Sequence, residues 1–218
     1  MPGSRALSVF DLDNTLLRGN SSFRFYFYLF SSGFYPFWSL FHSSLYYLRH
    51  RFFKMSLFDL HEKAFQRFLK GMDQAVLEEY AHRFWEKYFE KMIYEPAVRA
   101  LKAAQEKRHY TMILSNTPEF LVSFVAKKLE IDEWCGARYD LDQDHRLEKI
   151  ASLMHGSEKA EYVHHVVRRM SIETKDVTAY SDSITDLPLL ESAGRAVCVN
   201  PDRRLLKCSK ERGWSILS

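Results

Sequence analysis

Residues 6–16, which read ALSVFDLDNTL, are the stretch that indicates the fold. The apolar run Leu7–Phe10 predicts a short buried strand, and Asp11 and Asp13 follow it directly, with Thr15 before the chain turns apolar again. A strand that ends in acids places carboxylates at the carboxyl edge of a sheet, where open α/β folds bind their ligands. Because Asp is also a common turn residue, this stretch alone fits an ordinary turn as well as a catalytic site.

Three later stretches also carry polar side chains at a predicted strand end or helix start. Each has an ordinary interpretation, since a hydroxyl before a helix is commonly an N-cap, a lone lysine is commonly exposed, and acids after a strand commonly form a turn. The significance of these stretches therefore rests on their occurring together. They are Ser115–Thr117 after the strand Tyr110–Leu114, Lys159 at the start of a helix, and Asp182 with Asp186 after the strand Val177–Tyr180.

Length and composition limit the class of protein. At 218 residues the chain can form one large domain or one domain with an insert, and an apolar content of 46% supports a sizeable core. The net charge of +3 is spread along the chain and is too weak to indicate a nucleic-acid partner. Three widely separated cysteines argue against a disulfide framework, and the first residues do not form a signal peptide. We therefore expect a cytoplasmic protein in a reducing compartment.

Residues 23–53 are compositionally unusual, because they hold nearly half of the chain's aromatic residues. Three interpretations are open: a membrane span, an interfacial helix with basic flanks, and a helical cap with an apolar underside. Residues 25–41 approach the length of a span, but Ser31–Gly33 and Pro36 interrupt them. We favour the cap, whose Tyr and Trp side chains could line a pocket for an apolar substrate, and keep membrane-surface association as an alternative.

Strand and helix patterns alternate from residue 97 to the end of the chain, and the first strand precedes an insert. This alternation predicts a parallel sheet with helices on both faces. Within the insert, apolar residues at three- and four-residue spacing over residues 58–92 predict amphipathic helices. We therefore expect a core made of residues 1–18 and 94–218 and a helical cap made of residues 19–93.

Three local expectations complete the pattern. Ala137–Lys149 is predicted to form a hairpin or flap, and its Asp140 and Asp142 are expected to be solvated because no apolar strand frame surrounds them. Pro118 is expected in the first turn of a helix, where its missing N–H costs nothing. The end of the chain, after Val199, is expected to close with a helix.

The four polar stretches should meet at one sheet edge, and their chemistry is complementary there. Aspartates gathered at one point repel each other without a cation, and carboxylate oxygens suit Mg²⁺, which keeps several waters and needs few protein ligands. Lys159 and Ser115 would supply positive charge and hydrogen-bond donors to a phosphoryl group. One aspartate could then act as a nucleophile and another as the general acid and base.

These stretches resemble the four ordered motifs of the haloacid dehalogenase superfamily, over nearly the whole chain. The chain's last residues resemble the phosphoserine phosphatase-like branch, subfamily IB. The resemblance implies a Rossmann-like α/β core, with a parallel sheet flanked by helices, and an inserted all-helical C1-type cap. The residues that carry it are Asp11–Thr15, Ser115–Thr117, Lys159 and Asp182–Asp186, followed by residues 199–204 and 212–214.

The resemblance also implies a role for each motif residue in a Mg²⁺-dependent phosphatase. Asp at position 13 favours a phosphatase over a dehalogenase, because only the phosphatase must protonate an alkoxide. The implied roles are Asp11 as nucleophile and metal ligand, Asp13 as general acid/base and carbonyl ligand, Ser115, Asn116 and Lys159 as phosphate-binding residues, Asp182 as metal ligand, Asp186 as the residue that orients metal waters or Lys159, and Thr15 as a supporting residue.

Departures from the family pattern bear on the substrate. Phosphoserine phosphatases carry a cap glutamate nine residues after the nucleophile, where this chain has Asn20, and an ammonium buried without a counter-charge would be costly. Asn20, Ser22 and Arg24 are the candidate substrate contacts of the cap. We expect a phosphomonoesterase acting on a small phosphorylated metabolite with an apolar or bulky group. The alternatives are a phosphoserine phosphatase and a non-catalytic binding protein that uses the aromatic cap.

Overall fold

A computed structural model of the chain describes residues 6–35 and 57–218. Seven strands form one sheet in the order β4-β3-β2-β1-β5-β6-β7, in which every neighbouring pair is parallel except the antiparallel pair β3–β4. The strands are β1 (Leu7–Phe10), β2 (Tyr110–Pro118), β3 (Glu133–Leu141), β4 (Leu147–Ser152), β5 (Val177–Ser181), β6 (Arg195–Val199) and β7 (Ser215–Leu217).

The helices of the described residues precede or connect these strands. In addition to the helices, short 3₁₀ turns lie at Thr174–Asp176 and Ile184–Asp186. The helices are α1 (Ser21–Ser31), α2 (Leu57–Ala64) with a π-helical continuation (Phe65–Leu69), α3 (Gln74–Met92), α4 (Glu95–Glu106), α5 (Glu119–Lys128), α6 (Gly156–Met170), α7 (Leu187–Glu191) and α8 (Arg203–Arg212).

Strand β1 lies at the centre of the sheet, between β2 and β5. All four of its residues are buried, as expected for a strand inside a parallel sheet, and the hydroxyl of Ser8, its one polar residue, lies 3.0 Å from His109 Nδ1. From β1 the chain continues to β2 on one side and later returns to β5 on the other. This reversal makes the carboxyl end of β1 the crevice at which α/β folds bind ligands.

The predicted α/β core with a parallel sheet flanked by helices is confirmed, with two local corrections. Pro118 is the last residue of β2 and the N-cap of α5 rather than a residue of its first turn. The expected final helix is followed by a strand: α8 ends at Arg212, Gly213 after it has the left-handed conformation, and β7 comes next. A three-residue edge strand has too few residues for a recognisable alternation, and so the sequence pattern missed it.

The described residues divide into two compact units. One holds residues 6–21, Tyr88–Ala137 and Leu153–Ser218, and the other holds residues 22–35, 57–87 and Arg138–Ser152. The predicted division into core and cap stays a prediction. The compact units differ from it most at Arg138–Ser152, which the prediction assigned to the core and which lies in the second unit.

Aromatic side chains build much of the core of the second unit. Phe25 packs edge-to-face on Phe84 at 5.6 Å between ring centroids, and Phe65 stacks on Tyr139 at 5.1 Å. The predicted hairpin is formed by β3 and β4, and Gly71 donates its N–H to the Leu147 carbonyl of that hairpin at 2.8 Å. These contacts explain why the hairpin belongs to this unit.

Two further sequence expectations concern this unit. Asp140 and Asp142 are exposed, as expected, and Asp142 caps its own turn by accepting the N–H groups of Asp144 and Arg146 at 2.9 Å. In the described part of the chain, no helix combines the length and apolar character that crossing a bilayer requires. Much of the aromatic window, from residue 36 to residue 56, lies outside the described residues.

A polar cluster in the first unit ties β2, β3 and α6 together. Glu133 accepts the hydroxyls of Tyr110 at 2.6 Å and Tyr162 at 2.7 Å, and it pairs with the Arg169 guanidinium. Burial by itself would raise the pKa of Glu133, but these hydrogen bonds and the Arg169 charge outweigh it and hold the pKa below its usual range.

Candidate active site

Asp11 begins directly after β1 and is buried. Its N–H donates to the Tyr180 carbonyl of the neighbouring strand β5 at 2.9 Å, which continues the parallel pairing one residue beyond β1. Its carboxylate oxygen Oδ1 accepts a hydrogen bond from the Lys159 ammonium at 2.6 Å. The sheet therefore holds the main chain of Asp11, while a charge pair orients its side chain.

Lys159 lies in the first turn of α6 and is 3% exposed. Its Nζ also donates to Asp186 Oδ2 at 2.7 Å, and Ser181 Oγ donates to that same oxygen at 2.7 Å. Within the described residues, these two carboxylates take two of the three ammonium N–H groups, which leaves one for a ligand. The predicted encounter of Asp11, Lys159 and Asp186 is therefore present in the structure.

Gly156 allows α6 to start this close to the turn that holds Asp186. A Cβ atom at position 156 would lie 2.2 Å from the Thr185 carbonyl oxygen and 3.2 Å from the Asp186 Cα. Real Cβ atoms essentially never approach another heavy atom closer than 3.0 Å. The absence of a side chain at position 156 therefore sets the distance between α6, which carries Lys159, and the Asp186 turn.

Asp13 is half-buried, and each of its carboxylate oxygens accepts one hydrogen bond. Thr117 Oγ1 donates to Oδ2 at 2.9 Å, and the Ser21 N–H donates to Oδ1 at 2.9 Å. Burial raises the pKa of Asp13 above its usual range, although these hydrogen bonds act in the opposite direction. A carboxyl group with a raised pKa that is held in a single orientation suits a general acid and base.

The carboxyl end of β2 supplies Ser115, Asn116 and Thr117. Ser115 is 2% exposed, and its hydroxyl accepts the Thr117 N–H at 3.2 Å. The Asn116 amide is directed at α6, because its Oδ1 accepts the Met154 N–H at 2.6 Å and its Nδ2 lies 2.8 Å from His155 Nδ1. A phosphate-binding role for Asn116 stays a prediction. Because its side-chain amide already contacts Met154 and His155, its main-chain N–H is the group that could bind phosphate.

The segment after β5 places Asp182 and Asp186. Asp202 connects this segment to α8: its Oδ2 accepts the Ile184 N–H at 2.8 Å, its N–H donates to the Asp182 carbonyl at 2.8 Å, and its Oδ1 caps α8. Burial raises the pKa of Asp182 to about 7, with repulsion from Asp186 as a further cause. Asp182 is therefore a half-buried acid close to another acid, Asp186.

The site holds more negative than positive charge. Burial raises the pKa of Asp11 to about 8, and repulsion from Asp186 and Asp182 adds to this effect while Lys159 opposes it. Burial alone would lower the pKa of Lys159, but the Asp11 and Asp186 carboxylates outweigh it and raise the pKa, so Lys159 is charged. One ammonium therefore faces several carboxylates, and a bound cation would relieve their repulsion.

The oxygen atoms available in the site fit Mg²⁺, whose charge would offset the excess of carboxylates. Among the described residues there is no group of three or more His, Cys, Asp or Glu side chains arranged to hold a metal by themselves. Mg²⁺ does not require one, because it retains waters and binds proteins through one or two carboxylates. Asp11 and Asp182 would supply these carboxylates, and the Asp13 carbonyl would supply a neutral oxygen.

The structure also describes four further predicted residues. Thr15 is fully buried, and its hydroxyl has no hydrogen-bond partner among the described residues. Asn20 is exposed just before α1, Ser22 is partly buried, and Arg24 is exposed in the first turn of α1. Their predicted contacts with substrate stay predictions.

Sequence reasoning assigned no role to five residues that hold the site together. They are Ser21, Thr117, His155, Ser181 and Asp202. Thr117, Ser181 and Asp202 lie inside or next to a recognised motif, which was a signal in the sequence, whereas Ser21 and His155 lie outside the motifs.

Comparison with known proteins agrees with this geometry. The family model for haloacid dehalogenase-like hydrolases matches residues 8–191, which include the four ordered motifs but not residues 199–204 and 212–214. The chain belongs to the haloacid dehalogenase-like hydrolase family. Phosphoserine phosphatase SerB1 of Mycobacterium tuberculosis is 26% identical over 217 residues, which are 97% of this chain and 70% of that protein. Histidinol-phosphatase of Neisseria meningitidis is 27% identical over 221 residues, covering 97% of this chain and 98% of that protein.

Solved structures share the haloacid dehalogenase-like fold. A protein of unknown function from Bordetella pertussis superposes with a TM-score of 0.86 at 20% identity, covering 99% of both chains. A phospho-aspartyl intermediate analogue of phosphoserine phosphatase superposes with a TM-score of 0.69 at 16% identity, covering 98% of this chain and 92% of the other. The predicted family is confirmed, and so is the prediction that the protein is an enzyme of this family. Its relatives include phosphatases.

Proposed function

We propose that the protein is a Mg²⁺-dependent phosphomonoester hydrolase that works through an aspartyl-phosphate on Asp11. One observation carries the proposal: the buried Lys159 ammonium bonds both Asp11 and Asp186, at 2.6 and 2.7 Å, at the carboxyl edge of the sheet. Burying such a charge cluster costs stability unless the charges are paired. A phosphoryl group and a cation bound there would supply the charges that balance it.

The first half-reaction transfers the phosphoryl group to Asp11. Because Lys159 holds Oδ1, the other carboxylate oxygen, Oδ2, is the one oriented for attack on phosphorus. The bond from phosphorus to the Asp11 oxygen forms as the ester P–O bond breaks, and Asp13 donates a proton to the departing alkoxide. Ser115 and Lys159 donate hydrogen bonds to the phosphoryl oxygens, where negative charge is spread in the transition state.

The second half-reaction returns Asp11 to its starting state. Asp13, now deprotonated, takes a proton from a water as the water oxygen attacks phosphorus, and the bond to Asp11 breaks to release inorganic phosphate. Thr117 and the Ser21 N–H hold Asp13 in place for both proton transfers. Mg²⁺ held by Asp11, Asp182 and the Asp13 carbonyl would neutralise phosphoryl charge when bound.

We propose a small phosphorylated metabolite with an apolar or bulky group as the substrate. Position 20, which the family resemblance assigns to an acid that pairs with the phosphoserine amine, is a neutral asparagine here. Helix α1 carries Phe23 and Phe27, each 53% exposed. These exposed rings support a substrate with apolar surface, and Asn20, Ser22 and Arg24 remain the proposed polar contacts.

Two other functions are tested by the same experiment. Phosphoserine hydrolysis is the first, since one relative is named as a phosphoserine phosphatase. The second is ligand binding without turnover, through the aromatic second unit. A cytoplasmic location is part of the proposal and is supported by free thiols at Cys135, Cys198 and Cys208.

The test is phosphate release from p-nitrophenyl phosphate and from a panel that includes phosphoserine, histidinol phosphate, and sugar, nucleotide and lipid phosphates. It is run with Mg²⁺ and with chelator, on the wild type, on Asp11→Asn and on Asp140→Asn. Asp140 is an exposed aspartate of the other D-x-D sequence and serves as the matched control. We expect chelation to abolish release, Asp11→Asn to lose at least about a thousand-fold in kcat, and Asp140→Asn to match the wild type.

The outcomes separate the candidate functions. A clear preference for phosphoserine would replace the apolar-substrate proposal with phosphoserine phosphatase activity. A folded wild type that releases no phosphate from any compound, and that beryllium fluoride does not trap, would favour the binding protein. Release that survives chelation or the Asp11→Asn change would refute the mechanism.

A further inference from the structure

The side-chain amide of Asn116 joins the end of β2 to the start of α6. Its two polar atoms contact consecutive residues, Met154 N at 2.6 Å and His155 Nδ1 at 2.8 Å. A main-chain N–H can only donate, and so the amide atom that faces Met154 must be the oxygen. The amide nitrogen therefore faces His155, and the orientation of the group follows from chemistry.

This orientation determines where the His155 proton lies. The Asn116 nitrogen is a donor, and His155 Nδ1 must therefore offer its lone pair. The neutral ring then carries its proton on Nε2. Asn116 thus selects one of the two neutral tautomers of His155.

His155 connects this amide to Lys159. It is the N-cap of α6, and its carbonyl accepts the Lys159 N–H at 2.9 Å, in the first turn of the helix. Gly156 follows directly and packs against the Asp186 turn without a side chain. The position of His155 therefore determines where α6 starts and from which point the Lys159 side chain reaches Asp11 and Asp186.

We infer that Asn116 is a positioning residue for Lys159, acting through His155 and the start of α6. This inference rests on the proposed function only in that Lys159 acts on a phosphoryl group. The hydrogen bonds that define it are independent of any substrate.

The inference is tested with Asn116→Ala, Asn116→Asp, His155→Ala and the double variant Asn116→Ala/His155→Ala. Gln105→Ala is the matched control, because the Gln105 amide also bridges two elements, donating to the Leu129 and Glu130 carbonyls at 2.8 and 3.0 Å, but at the amino end of β2. Two quantities are measured: the His155 tautomer by ¹⁵N NMR at pH 8, and kcat and KM for p-nitrophenyl phosphate.

We expect the wild type to show the Nε2–H tautomer, Asn116→Ala to show a mixture, and Asn116→Asp to move the proton to Nδ1, because a carboxylate can only accept. We expect Asn116→Ala to lower kcat by about tenfold or more, since small displacements of a positioned group are costly. His155→Ala should do the same, with no further loss in the double variant, because both act through one contact. Gln105→Ala should change neither quantity.

An unchanged His155 tautomer in Asn116→Ala and Asn116→Asp would overturn the inference, as would a kcat within twofold of the wild type in folded Asn116→Ala. Multiplicative losses in the double variant would also overturn it. If the wild type itself releases no phosphate, the proposed function fails. The tautomer measurement, together with beryllium fluoride binding to the wild type and to Asn116→Ala, then still decides whether Asn116 positions Lys159.

Discussion

Gly156→Ala is the substitution whose effect follows most directly from the geometry. The added Cβ would lie 2.2 Å from the Thr185 carbonyl oxygen, whereas real Cβ atoms keep at least 3.0 Å, so the main chain must move by at least about 0.8 Å. The closest atom is a main-chain oxygen and the next belongs to the rigid ring of Pro188, at 3.0 Å, so a side-chain rotation cannot relieve the contact. Overpacking of this kind typically costs about 1–3 kcal/mol of unfolding free energy.

The same displacement acts on the site. It would separate the start of α6 from the Asp186 turn, and so it would lengthen the 2.7 Å contact between Lys159 and Asp186. A 1 Å misplacement of a catalytic group can cost about 100-fold in rate. We therefore expect Gly156→Ala to lower kcat by about 10- to 100-fold and to lower the unfolding free energy by about 1–3 kcal/mol.

The assay combines urea unfolding with steady-state kinetics on p-nitrophenyl phosphate. Gly213→Ala is the control, because Gly213 has a φ of 66° and open space around the position of a Cβ. That substitution should cost about 1–2 kcal/mol through backbone strain while leaving kcat unchanged. A Gly156→Ala protein with wild-type stability and wild-type kcat would refute the reasoning. Equal losses of kcat in both variants would show that lowered stability, and not displacement of Lys159, is the cause.

Three further predictions concern single contacts. Thr117→Val removes the hydroxyl that donates to Asp13 at similar volume, and kcat should fall by about tenfold while Thr117→Ser restores most of it, measured by phosphate release. Because the pKa of Glu133 is lower in the folded than in the unfolded protein, its ionisation adds to the free energy of unfolding above the ordinary pKa of 4.5, and this contribution is lost as pH falls through the lower folded value. Urea unfolding from pH 7 to pH 3 should therefore show a smaller loss of unfolding free energy in Glu133→Gln than in the wild type. Equal losses in the two proteins would contradict this. Asp202→Ala removes the α8 cap and the acceptor of Ile184 N–H and should cost about 1–2 kcal/mol in urea unfolding, with Asp202→Asn costing less.

Local patterns in the sequence were sufficient to predict the sheet and the order of its motifs. The mostly apolar run Leu7–Phe10 matches β1 residue for residue, because a buried strand of a parallel sheet needs apolar side chains towards both faces. The short β7 was missed, since three residues at a sheet edge carry no pattern. The π-helical turn Phe65–Leu69 was also not predicted, because its composition is that of an ordinary amphipathic helix.

The sequence by itself determined which groups are proposed to carry the chemistry: the acids of the first and last motifs, the hydroxyl after β2, and Lys159. These residues are recognisable because each ends a strand or begins a helix, and strand ends of a parallel sheet meet at one edge. The parallel pairing of β1 with β2 and β5 brings them there.

Only the tertiary structure decided how those groups are held. Thr117 and Asp13 are 104 residues apart, and Asn116 and His155 are 39 apart, so no local pattern could pair them. The role of Gly156 is equally invisible in the sequence, because it depends on main chain some thirty residues away that leaves no room for a Cβ. Hydrogen bonds and close contacts of this kind exist only after the sheet has brought distant segments within a few ångströms of each other.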